Sequence, residues 1–509
     1  MLNGLINGKK EGYSRYIAQA PQPIVEIVEF NPLLGNETSV VDFSAIRKSP
    51  IGKAILADND EQNVLQGYSF KFSTSDTEGS FTLTLHPGNA DKPYFDKIKP
   101  LQIVKIYERD NTGRTPDFVG VINRKKFVAQ PGSGLRISII GKSVASFISR
   151  FKISLDLNAM SITNQLESQE ALSKKLTASF AEGGIKKVSE VLKEIWNYSK
   201  LCASDCLEIS NPDMEKYVSK YLGDNFFSFD NEIELAYPLA SIFNGQNTIM
   251  FWDIVSGIIP FPVYEKFAFI DEKGKTKIKI REVPFDCSGD GLGFSSWDKL
   301  EKDMTELDPA IVKGIDFDVS DDEVYTAFFS YVIGTPIEQD KALRLAAQTG
   351  GYGNQALEIY KKKAGIYGYS PLTVSFNGYG VPEKDSTEEQ EKRSDSYKVL
   401  NKRLMNWYGH LEEMLKGTIT IATIVNKEES KDEKTPMCGE IVSFLGGEFY
   451  VNEVEHTWNF GGNPETKLTV SRGGNYEKKK FAPLEGITKR YVLFKQLLDT
   501  AKAKGINIL

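Results

Sequence analysis

The chain has 509 residues and a mass of 56.9 kDa, with 26% charged and 40% hydrophobic residues. That balance excludes a disordered chain and leaves room for three or four domains of ~150 residues. Sixty-two Lys and Arg stand against 69 Asp and Glu, so a net charge of -7 supplies no general excess of cations to grip a nucleic-acid backbone.

Residues 1–22 lack an apolar core of signal-peptide length, and the longest apolar run, 249–263, is broken by Asp253, Pro260 and Pro262. Neither a general secretion signal nor stable membrane insertion is expected. From 23 to 155 the period is two. Phe81, Leu83 and Leu85 alternate with Thr82 and Thr84, and Leu135, Ile137 and Ile139 with Arg136 and Ser138. This predicts a first antiparallel β domain, punctuated by the turns Asp110-Asn111-Thr112-Gly113 and Gln130-Pro131-Gly132-Ser133-Gly134. Residues 156–245 form a helical insertion, because Leu172, Leu176 and Phe180, then Ile185, Val188, Leu192 and Ile195, recur at helical spacing around Gly183-Gly184.

An α/β middle domain is predicted over 246–394. TIMFWDIVSGII predicts a short helix stopping at Pro260, followed by a hairpin over 264–270 and 277–283 around Asp271-Glu272-Lys273-Gly274. The run EKDSTEEQEKRS at 383–394 reads as a solvated surface. A second β region covers 395–475. It opens with a helix through Leu400, Leu404, Trp407 and Leu411 and continues with Ile419 and Ile421 alternating with Thr418 and Thr420. KEESKDEK at 427–434 is an exposed hairpin tip, and Val454, His456, Trp458 and Phe460 share one face of a strand. In the tail, 476–509, Ile487, Tyr491, Phe494, Leu498 and Ala501 predict an amphipathic helix that needs a covering surface.

The chemistry-bearing residues do not converge. Gly289-Asp290-Gly291-Leu292-Gly293 and Gly350-Gly351-Tyr352-Gly353 lack the third glycine or the Lys-Ser/Thr pair of a phosphate cradle. Asp316, Asp318, Ser320 and Asp322 imitate a calcium loop, but Asp321 stands where Gly is needed and Ala327 where a bidentate Glu is needed. Cys202, Cys206, Cys287 and Cys438 are too few for a disulfide framework, and Cys202 with Cys206 supplies only half of a zinc site. His86, His410 and His456 are too scattered for a His-based metal centre. Cys438 with His456 is the one pair that would make a thiol hydrolase, although His456 alternates with apolar residues as a packed histidine does. No catalytic, cofactor or metal residue is therefore assigned.

FWDIVSGIIPFPVYEKFAFIDEKGKTKIKIREVPFD, starting at Phe251, carries Trp252, Pro260, Phe261, Glu265, Phe269, Asp271, Gly274, Arg281, Pro284 and Phe285. In the order of these features it resembles the central baseplate and tail-tip hub proteins of tailed phages and related contractile injection systems. VSDDEVYT at 319–326, KAGIYGYSPL at 363–372, and GEFYVNEVEHTWNF with TKLTVSRGGNY agree with it in the same order, and the earlier DFVGVINRKKFV at 117–128 resembles the strand pair of the first hub barrel, so the resemblance spans about 65–475.

It implies a mainly β fold with α+β insertions: two tail-tube-like antiparallel β-barrel domains, smaller α/β domains and the C-terminal helix. It also implies a homotrimer that adapts the hexameric tail-tube ring to a threefold central spike. Such a ring sits among other baseplate proteins in the virion tail, after synthesis in the bacterial host cytoplasm. Its channel passes tape-measure protein, DNA or effectors, and the charge of -7 predicts a neutral or negative bore. The alternative is a tail-associated cell-wall hydrolase, peptidase or lysozyme, built on Cys438 and His456 or on unidentified carboxylates.

Overall fold

The computed structural model describes residues 23–31, 36–42, 65–85, 94–108, 115–130, 134–149, 152–154, 186–193 with 196, 219–230 without 224, 234–235, 248–259, 262–283, 304–333 without 310, 356–377, 401–423 without 403 and 406, and 435–474 without 446, 460, 461 and 463. Several expectations fall outside these residues: the N-terminal segment, the 172–180 helix, both charge runs, the C-terminal helix, both glycine loops, His86 and all cysteines but Cys438.

The first β region contains β1 (Ile24–Asn31), β2 (Asn36–Asp42), β3 (Leu65–Ser73), β4 (Ser80–Leu85), β5 (Ile103–Tyr107), β6 (Phe118–Gln130) and β7 (Gly134–Ser143), all paired antiparallel. The alternation of the sequence is the alternation of burial, because a strand sends successive side chains to opposite faces. Phe81, Leu83, Leu85, Ile137 and Ile139 are buried, whereas Thr82, Thr84 and Ser138 are half-buried. A bulge between Ile122 and Arg124 bends β6, so its start pairs with β5 and its outer part, 124–130, pairs among the described residues with β7 alone. The bend brings backbone close. A Cβ on Gly141 would lie 2.1 Å from the Val121 carbonyl oxygen and 2.3 Å from the Phe81 ring, so no larger residue fits there. Val25, Ile27, Ile106 and Phe118 pack against Phe70, Leu83 and Ile137 in one core.

The middle of the chain builds smaller sheets. β8 (Lys152–Ser154) pairs with β12 (Thr248–Met250), and β9 (Lys186–Lys187) with β11 (Glu234–Leu235). The predicted helix forms over Phe251–Ile258, and the predicted hairpin follows as β13 (Tyr264–Ile270) and β14 (Thr276–Glu282), with β10 (Phe227–Phe229) parallel to β14. Asp271 fixes the turn: its Oδ1 accepts from the Lys273 and Lys275 backbone N–H groups at 2.9 and 2.8 Å, and Gly274 takes φ 73°. β17 (Ala327–Ile333) lies between β18 (Ala356–Ile359) and β19 (Pro371–Asn377), with a helix over Lys361–Tyr367 connecting the two flanking strands.

The second β region is made of β20 (Leu415–Ala422), β21 (Ile441–Phe444), β22 (Gly447–Asn459) and β23 (Glu465–Gly474), and it recruits β15 (Thr305–Glu306) and β16 (Val312–Asp318). The sequence placed these two early strands in the middle domain; their pairing with β21 and β20 puts them here. Ile315, Phe317, Leu415, Ile419, Ile421, Phe449 and Leu468 share its core. Asn401, Leu404 and Trp407, on the predicted 400–411 helix, are buried.

β22 also pairs with β3, from Glu453 opposite Ser73 to Asn459 opposite Gly67. This joint fuses the two regions into one 13-stranded sheet whose main path is β16-β20-β23-β22-β3-β4-β7-β6-β5-β1-β2. Trp458 of β22 crosses it into the first region's core and stacks on Tyr68 with ring centroids 5.9 Å apart. The fold is mainly β, and its centre is this joint.

Candidate functional site

Eight strands of the fused sheet, from β16 to the outer part of β6, share one polar face. It arises because alternate residues in these strands are mostly polar while most of the others enter the two cores; Ile140, opposite Arg124, is an exposed apolar exception on the face. One register row crosses six strands as Lys142, Ser80, Lys71, Glu455, Lys467 and Thr420, each opposite the next. Ser69, Thr82, Thr84, Ser138, Thr418, Thr457 and Thr469 fill the neighbouring rows, and all are half-buried. The joint between regions interrupts nothing: Lys71 Nζ reaches across it to Glu453 Oε2 at 3.0 Å.

The charges on this face are unevenly placed. The end made by β6 and β7 carries Arg124, Lys126, Arg136 and Lys142, all exposed, with Lys142 ion-paired to Glu78, and the end made by β16 carries exposed Asp316 and Asp318, with Lys416 opposite Asp318 and Lys313 ion-paired to Glu465. The calcium-loop imitation thus lies on the surface, partly as a regular strand.

Beneath the joint two buried polar clusters hold the elements in place. In the first, Glu108 accepts the Tyr68 hydroxyl at 3.0 Å through Oε1, and its Oε2 lies 2.8 Å from His456 Nδ1. The His456 ring stacks on Phe70 at 4.6 Å and Thr466 Oγ1 is 3.3 Å from the same nitrogen. Three strands, β3, β22 and β23, and the end of β5 meet there through complementary donors and acceptors. Burial, then the neighbouring Glu108 charge, pushes the Tyr68 hydroxyl well above its ordinary pKa.

The second cluster ties the β13–β14 hairpin to β21 and β22. Glu265 Oε1 accepts Arg281 Nε at 2.5 Å, and the Tyr450 hydroxyl lies 2.6 Å from both Glu265 oxygens. Arg281 Nη2 donates to the Gly439 carbonyl at 2.5 Å. Burial works against the Arg281 charge, but Glu265, Tyr450 and Asp230 outweigh it and hold its pKa above the usual value. Gly439 has φ 80°, and a Cβ there would sit 2.6 Å from both the Arg281 guanidinium and the Phe267 ring. Sequence reasoning missed this cluster although the hairpin contains its signal. The strand alternation turns Glu265 inward with Phe267, and the register places it opposite Arg281.

Cys438 and His456 are not brought together. The Cys438 thiol donates to the Asn452 carbonyl at 3.3 Å, and its charged neighbours are Glu265, Arg281, Glu453 and Glu440. Burial pushes its pKa well up, the opposite of what a nucleophilic thiolate needs. His456 Nδ1 is engaged by Glu108 and Thr466. Among the described residues no group of three or more His, Cys, Asp and Glu is placed to hold a metal, and no helix is long and apolar enough to cross a membrane.

No family model and no curated protein matches the sequence. Solved structures do match, and the similarity is to tail proteins. The tail protein from Neisseria meningitidis MC58 is 9% identical with a TM-score of 0.43, covering 89% of this chain and 97% of that one. The 43 kDa tail protein of prophage MuSo2 from Shewanella oneidensis is 11% identical with a TM-score of 0.41, covering 89% and 98%. Prophage tail protein gp18 from Listeria monocytogenes EGD-e is 9% identical with a TM-score of 0.37, covering 92% and 98%.

Proposed function

We propose that the chain is a non-enzymatic structural hub of a phage tail, or of a phage-derived injection system, acting in the virion baseplate as a ring of three copies. The observation that carries this reading is the joint between β3 and β22, which makes two β regions from opposite ends of the chain into one sheet with a continuous polar face. Two such regions per copy give six around a threefold axis. That number fits a hexameric tail tube above and a threefold spike below, and it gives the motif resemblance over 65–475 a physical purpose.

In that ring the polar face lines the bore. Short Ser and Thr hydroxyls with interspersed charges of both signs make a hydrated wall with little apolar surface for DNA, a tape-measure protein or effectors to adhere to. The wall is not uniformly neutral or negative, as net charge alone suggested, but basic toward β6 and acidic toward β16. Native mass measurement of the purified chain at micromolar concentration tests the reading. A complex of three 56.9 kDa chains is expected, without peptidoglycan degradation by the same sample. A strictly monomeric or dimeric particle, or wall degradation abolished by Cys438→Ala, contradicts it.

A further inference from the structure

At the β16 end of the polar face the sheet and the 408–414 segment border a cavity of about 420 Å³, a volume in the range of small-molecule sites. It lies where the ladder of β23 is broken on both sides. Toward β20, Leu415 pairs with Gly473 and Gly417 with Val470, which leaves Lys416 out of register; toward β22, Val451 pairs with Val470 and Glu453 with Thr469, which leaves Asn452 out. In the same stretch Arg472 takes φ 59°, a left-handed conformation that a residue other than glycine holds only when its surroundings enforce it. Lys416, Asn452 and Arg472 all line the cavity. Bulges re-aim side chains, so three departures from a regular ladder around one hollow point to a built site.

We propose that this cavity binds a zwitterion of amino-acid or dipeptide size, its ammonium held by Asp318 and Glu323 and its carboxylate by Lys416. Charge decides the class. Asp318 and Glu323, both exposed, and half-buried Lys416 line the hollow, and none of the three makes an ion pair with another described residue. Asp318 and Lys416 stand opposite each other on β16 and β20, the arrangement in which unlike charges ordinarily pair, yet no ion pair joins them. A ligand with both charges satisfies both signs at once, whereas a simple anion or cation is repelled by one of them. The wall behind is fixed and partly apolar. The Arg472 guanidinium lies 3.6 Å from the Trp407 ring centroid and 5.2 Å from that of Tyr408, and its Nη1 donates to the Trp407 carbonyl at 2.5 Å, so its position is set before any ligand arrives. Tyr408, Leu411 and Met414 add apolar surface for a ligand side chain. This binding does not depend on the ring of three copies.

Titration calorimetry on the full-length chain at low salt tests it with glycyl-leucine, its N-acetyl form and its C-terminal amide. Glycyl-leucine should saturate one site per chain with a Kd of about 1 mM or tighter, and blocking either end should weaken binding at least tenfold. Asp318→Asn with Glu323→Gln should bring the acetylated and free dipeptides within about threefold of each other while keeping the preference for the free carboxylate, and Lys416→Met should do the reverse. The three substituted side chains are exposed or half-buried, and thermal melting checks that each variant folds. Saturable binding that ignores the blocking groups overturns the zwitterion, and selectivity unmoved by both variants overturns the assignment to this cavity. A wild-type chain without saturable binding up to about 10 mM overturns both. Mass measurement on the same samples scores the ring of three copies separately.

Discussion

Arg281 shows how one side chain can hold two parts of this protein together. It and Glu265 are almost fully buried, so removing either leaves a buried charge without its main counter-charge. Arg281→Met should cost ~3–5 kcal/mol in urea unfolding, while Lys71→Met, at the exposed pair with Glu453, should cost under ~1 kcal/mol. Equal losses would contradict this division. Lys266 is a different case: its Nζ donates to the Ile259 carbonyl at 3.0 Å, and burial lowers its pKa to about 8. At pH 7 both folded and unfolded chains carry the proton, and the burial penalty is complete. Between pH 8 and about 10.4, the ordinary lysine value, the folded chain sheds the proton while the unfolded chain keeps it, so this residue's contribution to stability rises with pH. Lys266→Met should therefore stabilise at pH 7 by up to about 3 kcal/mol and lose that advantage by pH 10.5. An advantage unchanged at pH 10.5 would show that burial of the charge is not its cause. Cys438, in a chain with Cys202, Cys206 and Cys287 replaced by Ala, should resist alkylation at pH 8 until the protein unfolds. Rapid labelling of the native chain would contradict its burial.

Elements differ in how much of them the sequence reveals. The β13–β14 hairpin was legible because its alternation and the Asp271 to Gly274 turn are local signals within 20 or so residues. The β3–β22 pairing was not, because Lys71 and Glu453, which bond across it, are 382 positions apart and no local pattern specifies such a partner. His456 illustrates the same limit. Its alternation with Val454 and Trp458 indicated a packed ring, but only the joint supplies Glu108 as its partner. Trp458 tests whether the joint is cooperative. Trp458→Ala should cost ~3–5 kcal/mol and speed amide exchange in β3 and β4, although the substituted residue belongs to β22. Faster exchange confined to β22 and β23 would mean that the two regions unfold independently.

For the whole molecule, the mainly β character followed from period-two alternation, and the polar face is that alternation continued across eight strands. What composition obscured was charge placement: a total of -7 is compatible with the basic patch at Arg124, Lys126 and Arg136 because the acidic residues gather elsewhere. A sum over the chain carries no information on position. The central claim is that three copies arrange this face around a channel, and a density map of the assembled tail tip tests it most directly. The account predicts three copies with Thr82, Lys71 and Thr418 facing the axis and the two β regions alternating around it. A map with these residues on the outer surface, or with a copy number other than three, would contradict it.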